Sequence, residues 1–586
     1  MRSFFKTFFA SFLALVVFTL TAIFTVIGMI AVVSSGTETS IGDKSVLVVD
    51  ISENYPEVVQ EDPLLFLQDD PSANIPSLFT TIRLIEHAAK DDKIKGIYLK
   101  TGYNANSWGS SEELRKAISK FKESKKFVFA YAEVMPQSGY YLASAADSIF
   151  LHPQGGMEWL GFSSNIIFLK GMLDKLGIEA QVFYAGKFKS ATEPFRATAM
   201  TAENKLQTSV YLNDLYDHFI QTVANDRKIS DNNLKDWANT AAIQTSYDAK
   251  KYGLIDGLMY DDEVKGVILN KLGKKSSEKI NFVRLGEYAA AVNLNEGNNA
   301  TDKIAIIYAD GDIIDGDDMN GYIASSKYRS LISDIRKNKS IKAVVLRVNS
   351  PGGSALASDV IWRELSLLKQ EKPLVVSMGN LAASGGYYIS CIADSVFANN
   401  NTLTGSIGVF GMIPNMRGFF NNKLGITFDG VATGPYANFG SIDRPLNEGE
   451  RKIFQNGIDT VYAVFTKRVA DGRKLEATQV DSIAQGRVWT GKRAIKIGLT
   501  DKVGGLQDAI SSAAKLAKLS SYQLREYPEP VDIVSQITGQ YKKNISENAT
   551  ATTLGPELYP FFQYVQQIKF MGNGPQARLP FEVKIK

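Results

Sequence analysis

The apolar and polar positions divide this chain into a leading apolar run and a long alternating body. Residues 8–33 carry no charge. A run of that length exceeds the ~20 residues that cross a hydrocarbon core, so it predicts a membrane-spanning helix. Arg2 and Lys6 precede it. Positive residues stay on the cytoplasmic side, which predicts that everything after Ser34 lies on the outer side. A cleaved signal peptide fits less well, because the apolar region is too long and no small-x-small site follows it. From Lys44 onward, β-branched runs such as residues 45–51 and 94–99 alternate with helical periodicity, as at residues 78–89. That alternation predicts an α/β protein with largely buried strands.

The body is also a repeat. Ile94-Lys-Gly-Ile-Tyr-Leu-Lys100 matches Ile341-Lys-Ala-Val-Val-Leu-Arg347, and residues 140–148 match residues 387–395. Ala224-Asn-Asp-Arg-Lys-Ile229 matches Ala470-Asp-Gly-Arg-Lys-Leu475, and Gly253-Leu-Ile-Asp256 matches Gly498-Leu-Thr-Asp501. The separation stays between 245 and 247 residues, which marks a duplicated domain and not a solenoid unit. The polar stretch 295–302 is the predicted join. The expected organisation is an anchor over residues 1–34, a first domain over 35–295 and a second over 296–586.

Composition narrows the function classes. The chain has 586 residues, 45% apolar and 22% charged, with a net charge of +3. Such a chain is globular, and its scattered Lys and Arg form no basic stripe that would bind nucleic acid. The one cysteine, Cys391, excludes an intramolecular disulfide and a cysteine-based structural metal site. The acidic run 310–318 does not have calcium-loop spacing and reads as a strand end with a turn. The aromatic-rich residues 557–571 read as a core-packing helix, with an interfacial or oligomer-contact helix as the alternative.

Candidate chemistry comes from the places where the two copies differ. Residues 373–377 read as a strand and 386–393 as a helix, so Ser384 falls in a tight turn at the helix mouth, where backbone N–H groups favour a developing anion. Opposite it the first copy has Gln137, or Ser138 if one gap is allowed. The second copy also has Asn349-Ser-Pro-Gly-Gly-Ser354 after a strand, against Thr101-Gly-Tyr-Asn-Ala-Asn106 in the first. Consecutive glycines there can turn their N–H groups toward an oxyanion. A serine nucleophile needs a base. His87, His152 and His218 sit in no triad context, and Ala-Ala-Ser384-Gly-Gly is not a Gly-x-Ser-x-Gly elbow. Lysine remains. Ala185-Gly-Lys-Phe-Lys189 aligns with Thr433-Gly-Pro-Tyr-Ala437, so the first copy has lysines without the serine turn and the second the serine without a lysine. One composite site at the seam would use both. Holding a lysine neutral near pH 7 costs roughly 4 kcal/mol, which burial among Phe188, Ala191, Pro194 and Phe195 can impose and a nearby Glu193 carboxylate would oppose. The residues alone leave Lys187 and Lys189 both open.

The motifs Ser350-Pro-Gly-Gly353, Ala383-Ser-Gly-Gly-Tyr-Tyr388, Thr404-Gly-Ser-Ile-Gly408 and Lys189-Ser-Ala-Thr-Glu-Pro-Phe195 carry a family likeness. The chain resembles the signal peptide peptidase A (protease IV) family in its long form. The resemblance implies an N-terminal anchor and two tandem crotonase/Clp-protease-like domains sharing one Ser/Lys dyad. In it Ser384 is the nucleophile, Lys189 the general base, Ser406 the hydroxyl that positions the amine, and Gly353 with Gly385 the oxyanion pair. It implies no cofactor and no metal. Its substrates are signal peptides and other apolar peptides at the periplasmic face of the inner membrane, and its assembly is a homo-oligomer, a tetramer. Two other readings remain: a catalytically silent membrane scaffold, and an acyl-CoA enzyme of the same fold, which an outward-facing domain would rarely supply with CoA.

Overall fold

The computed structural model describes residues 2–34, 41–59, 74–295, 299–317, 321–529 and 575–579. Two parallel sheets form its frame. In the first, the strands run in the order Gly257–Leu258, Ser148–Met157, Phe127–Met135, Ile94–Lys100, Ser45–Asp50 and Asn281–Arg284, all parallel. In the second, the order is Val488–Thr490, Leu403–Gly405, Leu374–Ala383, Ile341–Ser350, Lys303–Asp310 and Gln523–Tyr527. Only the Val488–Thr490 pairing along that path is antiparallel. Strands such as Ser45–Asp50 (SVLVVD) and Ile341–Ser350 (IKAVVLRVNS) are apolar along nearly their whole length because helices cover both faces of a parallel sheet.

The repeat is visible element by element. Ile94–Lys100 and Ile341–Ser350 each lie inside their sheet with near-continuous burial. Each is followed by a sheet neighbour that leads into a short helix, Gln137–Ala143 or Gly385–Ser390. Each half then sends out a 26-residue helix, Ala202–Arg227 or Glu448–Arg473, and both end on a lysine in the left-handed conformation, Lys228 or Lys474.

A third sheet joins the halves. Its order is Tyr322–Ala324, Asp312–Ile314, Gly352–Ser354, Gln576–Arg578, Val409–Asn415 and Glu179–Ala185. The last strand belongs to the first half, yet it pairs antiparallel with Val409–Asn415 over its full length, from Val409↔Ala185 to Asn415↔Glu179. A buried ion network holds the seam elsewhere. Arg347 of the second half donates to Glu57 Oε1 and Oε2 (2.7 and 2.9 Å) and to Glu113 Oε1 (2.7 Å) of the first, and to Ser377 Oγ (2.9 Å). All three charged groups are buried, so each needs the others.

Some expectations change. The strand expected over 373–377 runs from Leu374 to Ala383, because Leu381–Ala383 find a second partner in Leu403–Gly405. The helix expected over 386–393 starts at Gly385 and stops at Ser390, because the Asp394 carboxylate accepts the Leu374 N–H (2.9 Å) and draws the chain back to the sheet. The acidic run 310–318 begins, as expected, at a strand end, that of Lys303–Asp310. Residues 8–33 fall in a helix over Arg2–Ser34. Among the described residues no helix is long and apolar enough to cross a membrane. Residues 557–571, and residues 296–298 of the expected join, lie outside the described residues.

Candidate active site

Ser384 stands where the strand Leu374–Ala383 gives way to the helix Gly385–Ser390, with φ 55° and ψ −113°. That is a costly conformation for a residue with a Cβ, and such strain persists only where the surroundings impose it. Here the Ser384 N–H donates to the Gly405 carbonyl (2.8 Å), which turns the amide toward the sheet. The side chain is fully buried.

Lys189 reaches the serine from the other half of the molecule. After the strand Glu179–Ala185, Phe188 N–H donates to the Gln485 carbonyl (2.8 Å) and Lys189 N–H to the Gly186 carbonyl (3.0 Å). The facing loop comes so close that a Cβ on Gly486 would lie 2.7 Å from Lys189 N, so only glycine fits there. Lys189 Nζ lies 2.8 Å from Ser384 Oγ and donates to the Ser406 carbonyl (3.2 Å) and Ser406 Oγ (3.1 Å). Lys189 is 1% exposed, and burial alone holds its pKa well below the ordinary 10.5. The carboxylate that could have opposed this is engaged elsewhere: Glu193 accepts from Thr201 Oγ1 (2.6 Å) and Asn204 Nδ2 (2.8 Å). Ala191 and Phe195 pack in an apolar cluster with Leu169, Phe410 and Met412. Lys187, left open by the sequence, is exposed, with its Nζ 5.7 Å from the Phe188 ring centroid. The geometry therefore separates two lysines that the spacing could not.

The other expected residues sit around this pair. Ser406 has φ 50°, and its N–H donates to the Arg487 carbonyl (2.7 Å). Gly352 and Gly353 form a short strand, Gly352–Ser354. Gly352 has φ +99°, and a Cβ on Gly353 would fall 2.0 Å from the Ile313 carbonyl oxygen, so no larger residue fits either position unstrained. A Cβ on Gly352 would lie 2.6 Å from Gly385 N, which places the glycine loop directly against the start of the helix after Ser384. The histidines are occupied elsewhere: His87 with Tyr288 Oη (2.8 Å), His152 with the Gln154 N–H (3.1 Å), and His218 beside Tyr141 and Glu112. Cys391 is a buried core residue whose thiol is pushed up to about 12.

One residue escaped the sequence reading. Gln207 Nε2 donates to the Phe188 carbonyl (3.0 Å) and Ser190 Oγ (2.9 Å), and its Oε1 accepts the Val488 N–H (3.2 Å), so it clasps the lysine loop to the second half. The available signal was a polar stripe of helical period, Asn204, Gln207, Thr208 and Tyr211, which the helix buries.

Such an arrangement can do acyl transfer. A buried neutral amine within hydrogen-bond reach of a serine hydroxyl can accept its proton, and backbone N–H groups on two converging loops can hold a negative oxygen. Comparison with known proteins agrees with that chemistry. The model of Peptidase family S49 matches the chain twice, over residues 120–275 and 366–520. Protease 4 of Salmonella typhi is 36% identical over 493 residues, covering 82% of this chain and 79% of that protein. Protease 4 of Haemophilus influenzae is 34% identical over 516 residues, covering 85% and 83%. The chloroplastic serine protease SPPA of Arabidopsis thaliana is 34% identical over 438 residues, covering 74% and 64%. Two tandem parallel-sheet units with these relatives define a serine peptidase. The chain belongs to peptidase family S49.

Proposed function

We propose that this protein is a membrane-anchored serine endopeptidase with a Ser384/Lys189 dyad, built from two crotonase/Clp-protease-like units, that degrades cleaved signal peptides and other apolar peptides on the outer side of the inner membrane. The observation that carries the reading is the 2.8 Å approach of a buried Lys189 amine to Ser384 Oγ. Lys189 takes the hydroxyl proton as Ser384 attacks a peptide carbonyl, and Gly353 and Gly385 N–H groups hold the tetrahedral oxyanion. Lys189 then returns the proton to the leaving amine, and water activated by the same lysine hydrolyses the acyl-enzyme. Ser406 Oγ keeps the amine on the serine.

The anchor in this proposal is the helix Arg2–Ser34, on the strength of its uncharged run 8–33 and its exposed Phe8, Phe12, Leu15 and Phe18, although no helix among the described residues has the length and apolarity of a membrane span. The family likeness supports a homo-oligomer, a tetramer, with these anchors on one face.

The test is hydrolysis of a labelled apolar signal-peptide-like substrate by detergent-solubilised full chain. Ser384→Ala and Lys189→Ala should each lose at least about 10³-fold in kcat/KM, and Lys187→Ala should keep parental activity. An active Ser384→Ala variant removes the nucleophile. A folded parent that cuts no apolar peptide moves the silent scaffold ahead.

A further inference from the structure

Beside Ser384 the chain meets its own backbone. Gln576–Arg578 lies antiparallel on Gly352–Ser354, the strand that carries the glycine loop, with Gly352↔Arg578, Gly353↔Ala577 and Ser354↔Gln576 opposed. Leu579 N–H donates to the Pro351 carbonyl (2.6 Å), and Ala355 N–H to the Pro575 carbonyl (3.3 Å). Hydrogen-bonded pairs alternate along an antiparallel ladder, so Gly353 and Ala577 between them fall in hydrogen-bonded register. The Ala577 carbonyl oxygen also faces the second loop. It lies 2.0 Å from where a Cβ on Gly352 would stand and 3.0 Å from where one on Gly385 would stand. A peptide carbonyl thus rests at Gly353 and Gly385, the two residues that would hold an oxyanion.

The side chains on either side are seated too. Leu579 is buried in a pocket at the seam, formed by Tyr211 and Leu215 of the first half and Ala383, Leu403 and Val488 of the second. Ala383 is the residue before the serine. Arg578 pairs with Asp312 at 2.9 Å, and Ala577 is fully buried. Backbone pairing from a sheet edge gives affinity, and pockets for chosen side chains give selectivity, which is how extended peptides are bound at strand edges.

We propose that residues 575–579 are a tethered occupant of the peptide groove: they lie as a bound substrate lies, mark its subsites, and compete with external peptides for them. The inference rests on the reading of Ser384 as the nucleophile for its meaning, but not for its test. The groove then takes an extended peptide with a small residue at the Gly353/Gly385 position and a large apolar residue two positions further on, in the Tyr211/Leu215/Val488 pocket. A tethered segment acts at an effective concentration that reaches the millimolar range, so an external peptide must displace it.

The experiment measures binding separately from cutting. The probe is a fluorescein-labelled peptide with the sequence of residues 573–581, and the readout is its anisotropy with full-length Ser384→Ala chain, with and without Leu579→Asp. A second variant ends the chain at residue 574. Vacating the groove should tighten probe binding at least about tenfold in both variants, and a probe carrying aspartate in place of the leucine should lose that gain. Equal probe binding with and without Leu579→Asp and the truncation, or weaker binding after either, overturns the proposal and makes the segment structural. Tighter binding in a chain whose parent cuts no peptide leaves the occupant standing while the protease reading falls.

Discussion

At equivalent points of the two halves the chain leaves a buried strand for a short helix, once at Gln137 and once at Ser384. The first turn is closed by its own neighbours. Gln137 Nε2 donates to the Gly161 carbonyl (2.9 Å), and its Oε1 accepts the Leu160 and Gly161 N–H groups (3.1 and 3.0 Å). Asn104, in the first-half loop that matches the glycine loop, reaches across to the Ser138 carbonyl (3.1 Å). The second turn has no such bolt. Glycines stand where the first half has Ala105 and Asn106, and the serine hydroxyl meets a lysine 195 residues earlier in the chain. A turn that satisfies itself locally is a scaffold, and one that leaves backbone N–H groups and a hydroxyl for non-local partners is a candidate site.

The comparison can be broken from either side. The largest effect belongs to Gly353→Ala, whose methyl group would meet the Ile313 carbonyl oxygen at 2.0 Å and push the loop out of place. If the proposed oxyanion role of Gly353 holds, the variant's kcat/KM should fall by at least about 10²–10³-fold, the cost of losing one such donor. Ala105→Gly, in the matching loop of the first half, should leave activity within about twofold and stability within about 0.5 kcal/mol. Peptide kinetics and thermal melts of the pair decide it.

Next comes the seam. Arg347 and Lys100 occupy matching strand positions, but Arg347 is buried between Glu57 and Glu113, whereas Lys100 is half exposed and lies 3.4 Å from Asp50. Arg347→Met strands two buried carboxylates and should destabilise by roughly 3–5 kcal/mol. Lys100→Met should cost no more than about 1 kcal/mol. Calorimetric Tm values that fall equally for both would show that the seam network does not hold the halves.

The smallest effect is a gain in stability. Burial keeps the folded-state pKa of Lys189 well below the ordinary 10.5. Between those two values the unfolded chain holds a proton that the folded chain lacks, so stability rises with pH across that window. Below the window the amine is protonated in both states, and the whole cost of burying its charge is carried. Lys189→Met removes that titration, so its Tm should exceed the parent's near neutral pH, and the gap should narrow as pH approaches 10.5. A Tm below the parent's at every pH would contradict a strained, neutral lysine.

Much of this was legible in the sequence because it is local or repeated. The buried strands, the duplication and the turn at Ser384 announce themselves through β-branched runs, a fixed separation and paired glycines. Lys189 over Lys187 was not readable from residue types, because both precede the same apolar stretch. The choice is made by the strand Glu179–Ala185, which pairs with Val409–Asn415 more than 200 residues away and turns one lysine inward. The same holds for Arg347, whose partners Glu57 and Glu113 carry no mark of charge burial in sequence, and for Gln207, whose role depends on three groups from two loops. Local patterns name candidate residues, and long-range pairing decides which of them meet.

The central claim is that a buried, neutral Lys189 activates Ser384, and the pH dependence of kcat/KM for peptide hydrolysis by the full chain tests it most directly. Activity should rise with an apparent pKa well below 10.5 and then level off, and Lys189→Ala should abolish that limb along with the activity. A rate that keeps climbing to pH 10 and beyond, or the same limb surviving at full amplitude in Lys189→Ala, would contradict it.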